Sequence, residues 1–328
     1  MSSPDLSVVL VAPNGMGSIR RTMACLRAQT ARERLEVLVV APSAELLDLD
    51  ALGRDRFAAL RAVEVGPITQ RGEAAAVAVR EATAPIVAFV EDHSFPRPGW
   101  AEAFLDAHAG GDWAAVGPRV HNANADAPLS VANFVLTYAS TSGPQEAGPR
   151  SLLAFHNSAY RRDLLLAYGD RLGPLLEWEG DLQDDLMAQG RQLYLEPRAE
   201  TDHLNVSGMR STIRLHLLRG RMMGGDRATR ERWPVWKRAL YVAGAPLFPL
   251  MQWRHVAPEI RRWGLGTAER VRLAPWLALV LGAAAVGEAA GYLLGPGRAR
   301  DRWQSFELYR TRHLSRKERR QRAAATEG

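Results

Sequence analysis

The sequence predicts an α/β protein: a Rossmann-like, mostly parallel sheet with helices on both faces, followed by helices that associate with a membrane. Three observations carry this expectation. Residues 6–11 (LSVVLV), 35–40 (LEVLVV) and 86–90 (IVAFV) are short, nearly unbroken apolar runs, the pattern of strands buried on both faces. Each run stops at turn-forming or polar residues, and helical spacing alternates with strands through residue 120. After Trp233 the composition changes to long uncharged stretches bordered by arginines. The expected division is an α/β domain over 1–230 and a hydrophobic, basic tail over 231–328.

A chain of 328 residues, 47% hydrophobic and 24% charged, is globular and large enough for one substantial domain with an appendage. Net charge is +6, and Lys237 and Lys317 are the only lysines, so the basicity is almost all arginine. Arginine-rich basicity suits phosphate-bearing substrates or an anionic lipid surface. No nucleic-acid-binding module is recognisable, and no nucleic-acid partner is expected. Cys25 is the only cysteine, which leaves no internal disulfide and no thiolate metal site. The opening MSSPDLSVVLVAP has neither a basic n-region nor a long apolar h-region, so a signal peptide is not expected.

The first strand ends at Ala12, Pro13, Asn14 and Gly15, and a helical pattern follows through Ile19, Met23 and Leu26. The second ends at Ala41, Pro42 and Ser43; residues 44–62 read as a helix and 63–65 as a short strand. Gln70 and Arg71 precede an Ala-rich helix over 73–81. The most informative stretch is 86–100, IVAFVEDHSFPRPGW. An apolar strand stops abruptly at Glu91, Asp92 and His93, which puts metal-capable side chains in the crevice at the carboxyl ends of the strands. In an extended segment Glu91 and His93 point the same way. Carboxylate with imidazole suits Mn²⁺ or Mg²⁺ bridging a substrate phosphate. Pro96, Pro98 and Gly99 then turn the chain before a helix opens at Trp100.

This stretch resembles family-2 glycosyltransferases of the GT-A fold, in which an apolar strand ends in a DxD triplet followed by a proline-containing turn and a Trp. Here the triplet reads Glu91, Asp92, His93, with His93 where the family usually carries its metal-binding Asp. The resemblance covers about residues 5–225. It implies a nucleotide-diphospho-sugar donor, with Pro13, Asn14 and Ala41 at the strand ends that hold base and ribose. The acid usual after the second strand is replaced by Ala41 and Pro42. Arg71 is the nearest substitute for the family's basic contact to the diphosphate, and Asp92 and Asn157 join the donor side. LLAFHNSAY over 152–160 resembles the family strand on the acceptor side, where His156 and Asn157 either line the pocket or form a structural pair. In EWEGDLQDDLMAQG over 177–190, counting back from Gly190 puts Glu179 at the family's general base, with Asp181 as the second candidate. Helix capping by these two acids is the alternative. His203 stands where many members place a further metal ligand, completing a Glu91–His93–His203 set. Residues 193–196 with Pro197 read as an edge strand, 114–120 as a strand, and 121–150 as a long irregular segment.

Arg210, Arg214, Arg219 and Arg221 recur on an expected helix, and Arg219 and Arg221 are candidates to hold the departing diphosphate. The QxxRW motif of processive synthases is absent, which points to transfer of one sugar at a time. Residues 239–253 are uncharged but short and broken by Pro246 and Pro249; 273–295 are long enough to span a bilayer, with Glu288 as the one charge. Basic residues on both sides fit a hairpin or two interfacial helices with both ends cytoplasmic. The expectation is a divalent-metal-dependent, inverting glycosyltransferase on the cytoplasmic face of the inner (plasma) membrane, acting on a membrane-proximal or lipid-linked hydroxyl acceptor. A catalytically silent membrane-bound scaffold and a nucleotidyltransferase are the rival readings.

Overall fold

The computed structural model describes residues 3–327; Met1, Ser2 and Gly328, and the side chains from Arg322 onward, lie outside the described residues. In chain order the elements begin with β1 (Leu6–Val11), α1 (Met16–Arg27), β2 (Leu35–Ala41), β3 (Ala59–Glu64), α2 (Arg71–Glu81) and β4 (Ile86–Val90). Next come β5 (Ser94–Pro96), α3 (Trp100–Ala109), β6 (Trp113–Asn122), α4 (Pro128–Tyr138), β7 (Gly148–Arg150) and β8 (Ala159–Arg161). Then follow α5 (Arg162–Leu166), α6 (Leu172–Glu177), α7 (Glu179–Ala188), β9 (Gln192–His203) and α8 (Met209–Arg230). The chain closes with α9 (Val235–Gly244), α10 (Phe248–Arg262), α11 (Thr267–Leu294), α12 (Ala299–Leu308) and α13 (Arg316–Glu327). Two compact units result: residues 1–121 with 140–203, and residues 122–139 with 204–328.

The first unit carries the sheet, in the order β3-β2-β1-β4-β8-β6-β9-β5, with β7 also paired to β9. β1 lies between β2 and β4, all parallel, with Val8 opposite both Val37 and Ala88. Every residue of β1, β2 and β4 is buried, as the unbroken apolar runs require. Beyond β4 the neighbours are antiparallel: β4 with β8, β8 with β6, and β9 with both β5 and β7. The expected α/β sheet is therefore parallel in its first half and antiparallel in its second.

Four sequence expectations differ from what forms. Residues 44–62 are not a helix; they hold two 3-10 turns and then β3. Their buried apolar residues, Leu47, Leu52 and Phe57, recur every five positions rather than on a helical face, and Gly53 breaks the run at φ 89°. The segment 121–150 is not irregular throughout, because Pro128 opens α4 at a position where its missing N–H costs nothing. β8 spans three residues only, and 152–158 run irregularly before it. β9 is not a short edge strand but twelve residues long. Pro197 is tolerated because it falls between the pairing to β7 at 193–195 and the pairing to β5 at 201–203.

The second unit is helical. α8 and α11 cross in close contact where Gly220 and Gly224 face Gly287 and Gly291: a Cβ at Gly287 would sit 2.3 Å from Leu217 O, and one at Gly220 2.2 Å from Ala284 O. Small residues four apart on both helices allow this approach. α10 and α4 bury Val256, Ile260, Ala132 and Val135 with Leu273, Leu277 and Val280 of α11. Trp233 stacks on Tyr292 and touches Tyr241, with the Lys237 ammonium 4.1 Å from the Trp233 ring centre. α11 is long and apolar enough to cross a membrane, and half of its most apolar window is buried within the protein.

Candidate metal centre and catalytic pocket

The chemistry gathers where β4 ends. Glu91 and His93 leave β4 on the same side, and the antiparallel pairing of Ser94 with His203 brings the end of β9 beside them. One ligand-capable atom from each of Glu91, His93 and His203 lies within 4.8 Å of the others, and all three residues are buried. His203 Nε2 is 3.1 Å from Glu91 Oε2, and His93 Nε2 is 3.5 Å from Glu91 Oε1. The strand exit is pinned by Thr22 of α1, whose hydroxyl donates to Ser94 O at 3.0 Å and Glu91 O at 3.3 Å.

Asp92 settles the form of His93. Its Oδ1 is 2.7 Å from His93 Nδ1, and a carboxylate only accepts, so Nδ1 carries the proton. Nε2, on the side of the ring nearer Glu91, is buried and without a hydrogen-bond partner. An orphaned buried imidazole nitrogen beside a carboxylate and a second imidazole fits a divalent cation, with Asp92 orienting the ring as carboxylates commonly orient metal-binding histidines. Burial opposes ionisation of Glu91, but His93, Arg71 and His203 around it outweigh burial and hold its carboxyl well below the usual range. Asn157 Nδ2 donates to Glu91 Oε2 at 3.0 Å, Arg71 Nη1 lies 3.5 Å from Oε1, and Ser94 Oγ bonds both Asn157 and Thr201.

Glu179 is the second feature. It opens α7, 1% exposed, and accepts a hydrogen bond from the backbone N–H of His156 while His156 Nδ1 lies 3.2 Å from the same oxygen. His156 adopts φ 57°, a left-handed conformation rarely found outside glycine, which aims its N–H at the carboxyl. Burial pushes the Glu179 pKa up to about 8, partly offset by the His156 N–H and Arg71 and reinforced by the charge of Glu91. Burial, with the charge of Glu179, also holds the neighbouring Tyr160 hydroxyl well above its ordinary value.

Glu91, His93, His203, Arg71, Asn157 and Glu179 thus belong to one connected group in the first unit. Asp181 is exposed on the far side of the first turn of α7, away from the buried Glu179. Pro13 and Asn14 lie in the loop after β1, and Ala41 is the buried last residue of β2. Arg219 and Arg221 stand on α8 in the second unit, where Arg221 Nε donates to Gly295 O at 3.1 Å. Sequence reasoning missed Glu177, whose carboxylate accepts from Gly72 N at 2.6 Å, and Gln183, which donates to Tyr160 OH at 2.9 Å and to which Leu153 N donates. No local signal marks either; each is defined by a partner at least twenty residues away.

No family model matches this sequence, and no curated protein resembles it significantly. Among solved structures, the mannosyltransferase PcManGT from Pyrobaculum calidifontis, in complex with GDP-Man and Mn²⁺, superposes with a TM-score of 0.54 at 17% identity, covering 90% of this chain and 88% of that one. GalNAc-T7 with UDP, GalNAc and Mn²⁺ gives 0.47 at 13%, covering 61% of this chain, which spans 43% of that protein. S. aureus TarS 1–349 gives 0.43 at 16%, with 93% and 75% covered. The α/β architecture is the GT-A fold that the 86–100 stretch led us to expect.

Proposed function

We propose that the chain is a glycosyltransferase that moves one sugar from a nucleotide-diphospho-sugar to a hydroxyl acceptor with inversion, in the manner of family 2. The buried Glu91–His93–His203 cluster at the carboxyl end of β4 carries this reading. It lies where open α/β sheets bind ligands, and its donors suit a cation that also meets phosphate oxygens. PcManGT, whose fold the chain shares, was solved with Mn²⁺ and a nucleotide sugar, which supports a divalent ion and a donor of this class. Glu91, His93 and His203 would hold Mn²⁺ or Mg²⁺, and the ion when bound would neutralise charge on the departing diphosphate.

Glu179 takes the proton of the acceptor hydroxyl as its oxygen forms the bond to the anomeric carbon. The bond from that carbon to the diphosphate breaks, and the electron pair leaves with the diphosphate. One displacement inverts the centre. A carboxyl whose pKa has been raised to about 8 is matched to proton abstraction near neutral pH. Arg71, 6% exposed beside Glu91, supplies a fixed positive charge on the donor side. Non-processive transfer to a membrane-proximal or lipid-linked acceptor, at the cytoplasmic face of the inner membrane, follows from the missing QxxRW motif and the apolar, arginine-flanked tail.

The test is thermal unfolding of the detergent-purified chain against nucleoside diphosphates, with and without Mn²⁺. A metal-dependent rise for one nucleotide, lost in His93→Ala, is expected, because a ligand that binds only the folded state stabilises it by mass action. Absence of a rise with every nucleotide would overturn the reading. Release of free sugar from the matching donor separates an enzyme from a silent binder.

A further inference from the structure

The helices α9 and α10 carry an apolar face that nothing in the second unit covers. α9 has no buried residue. Trp236 is 68% exposed, Leu240 61%, Leu247 60%, Leu250 58% and Met251 61%. Their offsets from Trp236 are those of one helical face, carried through the 3-10 turn at Ala245–Leu247 that joins the two helices. Scattered exposed apolar residues are ordinary, but a face of this length is not. At the same period the buried Val256 and Ile260 fall on the far side of α10, so the packing of these two turns the apolar face outward.

Charge identifies what meets it. Residues 232–258 contain Arg232, Lys237, Arg238 and Arg254 and not one carboxylate. Arg254 and Arg261 continue the helical face beyond its apolar part, and both are exposed. Apolar side chains with a Trp on one face, continued by arginines, with the one acid of the two helices, Glu259, off that face and paired with Arg262 at 2.8 Å, have the composition of a helix lying in the headgroup region of an anionic bilayer.

We propose that α9 and α10 form an in-plane docking surface for anionic lipid, with Trp236, Leu240, Leu247, Leu250 and Met251 in the acyl boundary and Arg254 and Arg261 at the headgroups. This deepens the membrane-proximal reading above by naming the surface that meets lipid. The residues of α10 that pack on α11, Val256 and Ile260, are not those of the exposed face.

The experiment uses the full chain in a Cys25→Ser background, with an environment-sensitive fluorophore on Leu240→Cys, on Leu250→Cys or, as the control, on Glu33→Cys. Acrylamide quenching is measured in buffered detergent, then with vesicles of phosphatidylcholine alone or of equal parts phosphatidylcholine and phosphatidylglycerol. The labels at 240 and 250 are expected to become shielded, more strongly with phosphatidylglycerol, while the label at 33 stays quenchable. Adding Trp236→Glu to the Leu240→Cys chain is expected to lower that shielding at least about tenfold, since a charge replaces the aromatic that would enter the acyl boundary. Labels at 240 and 250 that remain as accessible as the one at 33 would overturn the proposal. So would shielding that rises with protein concentration without vesicles, which would assign the face to a second copy. Nucleotide-dependent stabilisation through His93, read on the same samples, fails or holds independently of these labels.

Discussion

Replacing Glu179 by Gln isolates the cost of burying an ionisable group in the pocket. The Glu179 carboxyl titrates at about 8 in the folded chain against an ordinary 4.5, chiefly because it is buried. Below pH 4.5 both folded and unfolded chains hold the proton, and the group has no effect on stability. As pH rises, the unfolded chain ionises first, so the native state retains one extra proton and loses about 1.4 kcal/mol per pH unit. Across the interval from 4.5 to about 8 the loss accumulates to about 5 kcal/mol, an order-of-magnitude figure, and then levels off. Glutamine is neutral throughout and lacks this slope. Urea unfolding of metal-free protein between pH 5 and pH 8 should therefore show the variant gaining on the wild type as pH rises. Parallel stability curves would refute the burial-driven shift. In the proposed reaction the carboxylate is the base, so activity should follow the opposite sense: transfer should climb about tenfold per pH unit below about 8, then level off, and fall by 10² or more in the variant.

Further outcomes follow from the same geometry. Asp92→Asn removes the obligate acceptor that fixes His93 Nδ1–H, and Mn²⁺ affinity by titration should fall about 10- to 100-fold while the fold persists. Gly72→Ala places a Cβ 2.3 Å from Glu177 N and Gly173 O, so the first unit should lose about 1–3 kcal/mol in urea unfolding. Trp233→Ala empties the cluster with Tyr241 and Tyr292 and should cost the second unit about 3–5 kcal/mol.

The sequence alone determined the strands that position the site and much of the site itself. Short, β-branched, nearly unbroken apolar runs read as strands buried on both faces, and the abrupt change from Val90 to Glu91 marks where such a strand ends at the crevice. Gly190 likewise announced the end of α7, where it adopts φ 78°. Tertiary structure decided which acid is which. The count from Gly190 ranks Glu179 ahead of Asp181 without saying where either side chain lies; in the structure one is 1% exposed against His156 and Tyr160 and the other faces solvent. The roles of Asp92, Asn157, Glu177 and Gln183 were decided the same way. Three of these four bond partners at least twenty residues distant, and even the adjacent Asp92–His93 pair is set against a ring of β9, His203, that no local pattern brings there. Local pattern sets what a segment can become, whereas burial and long-range partners, which local pattern does not encode, set the charge state and task of its side chains.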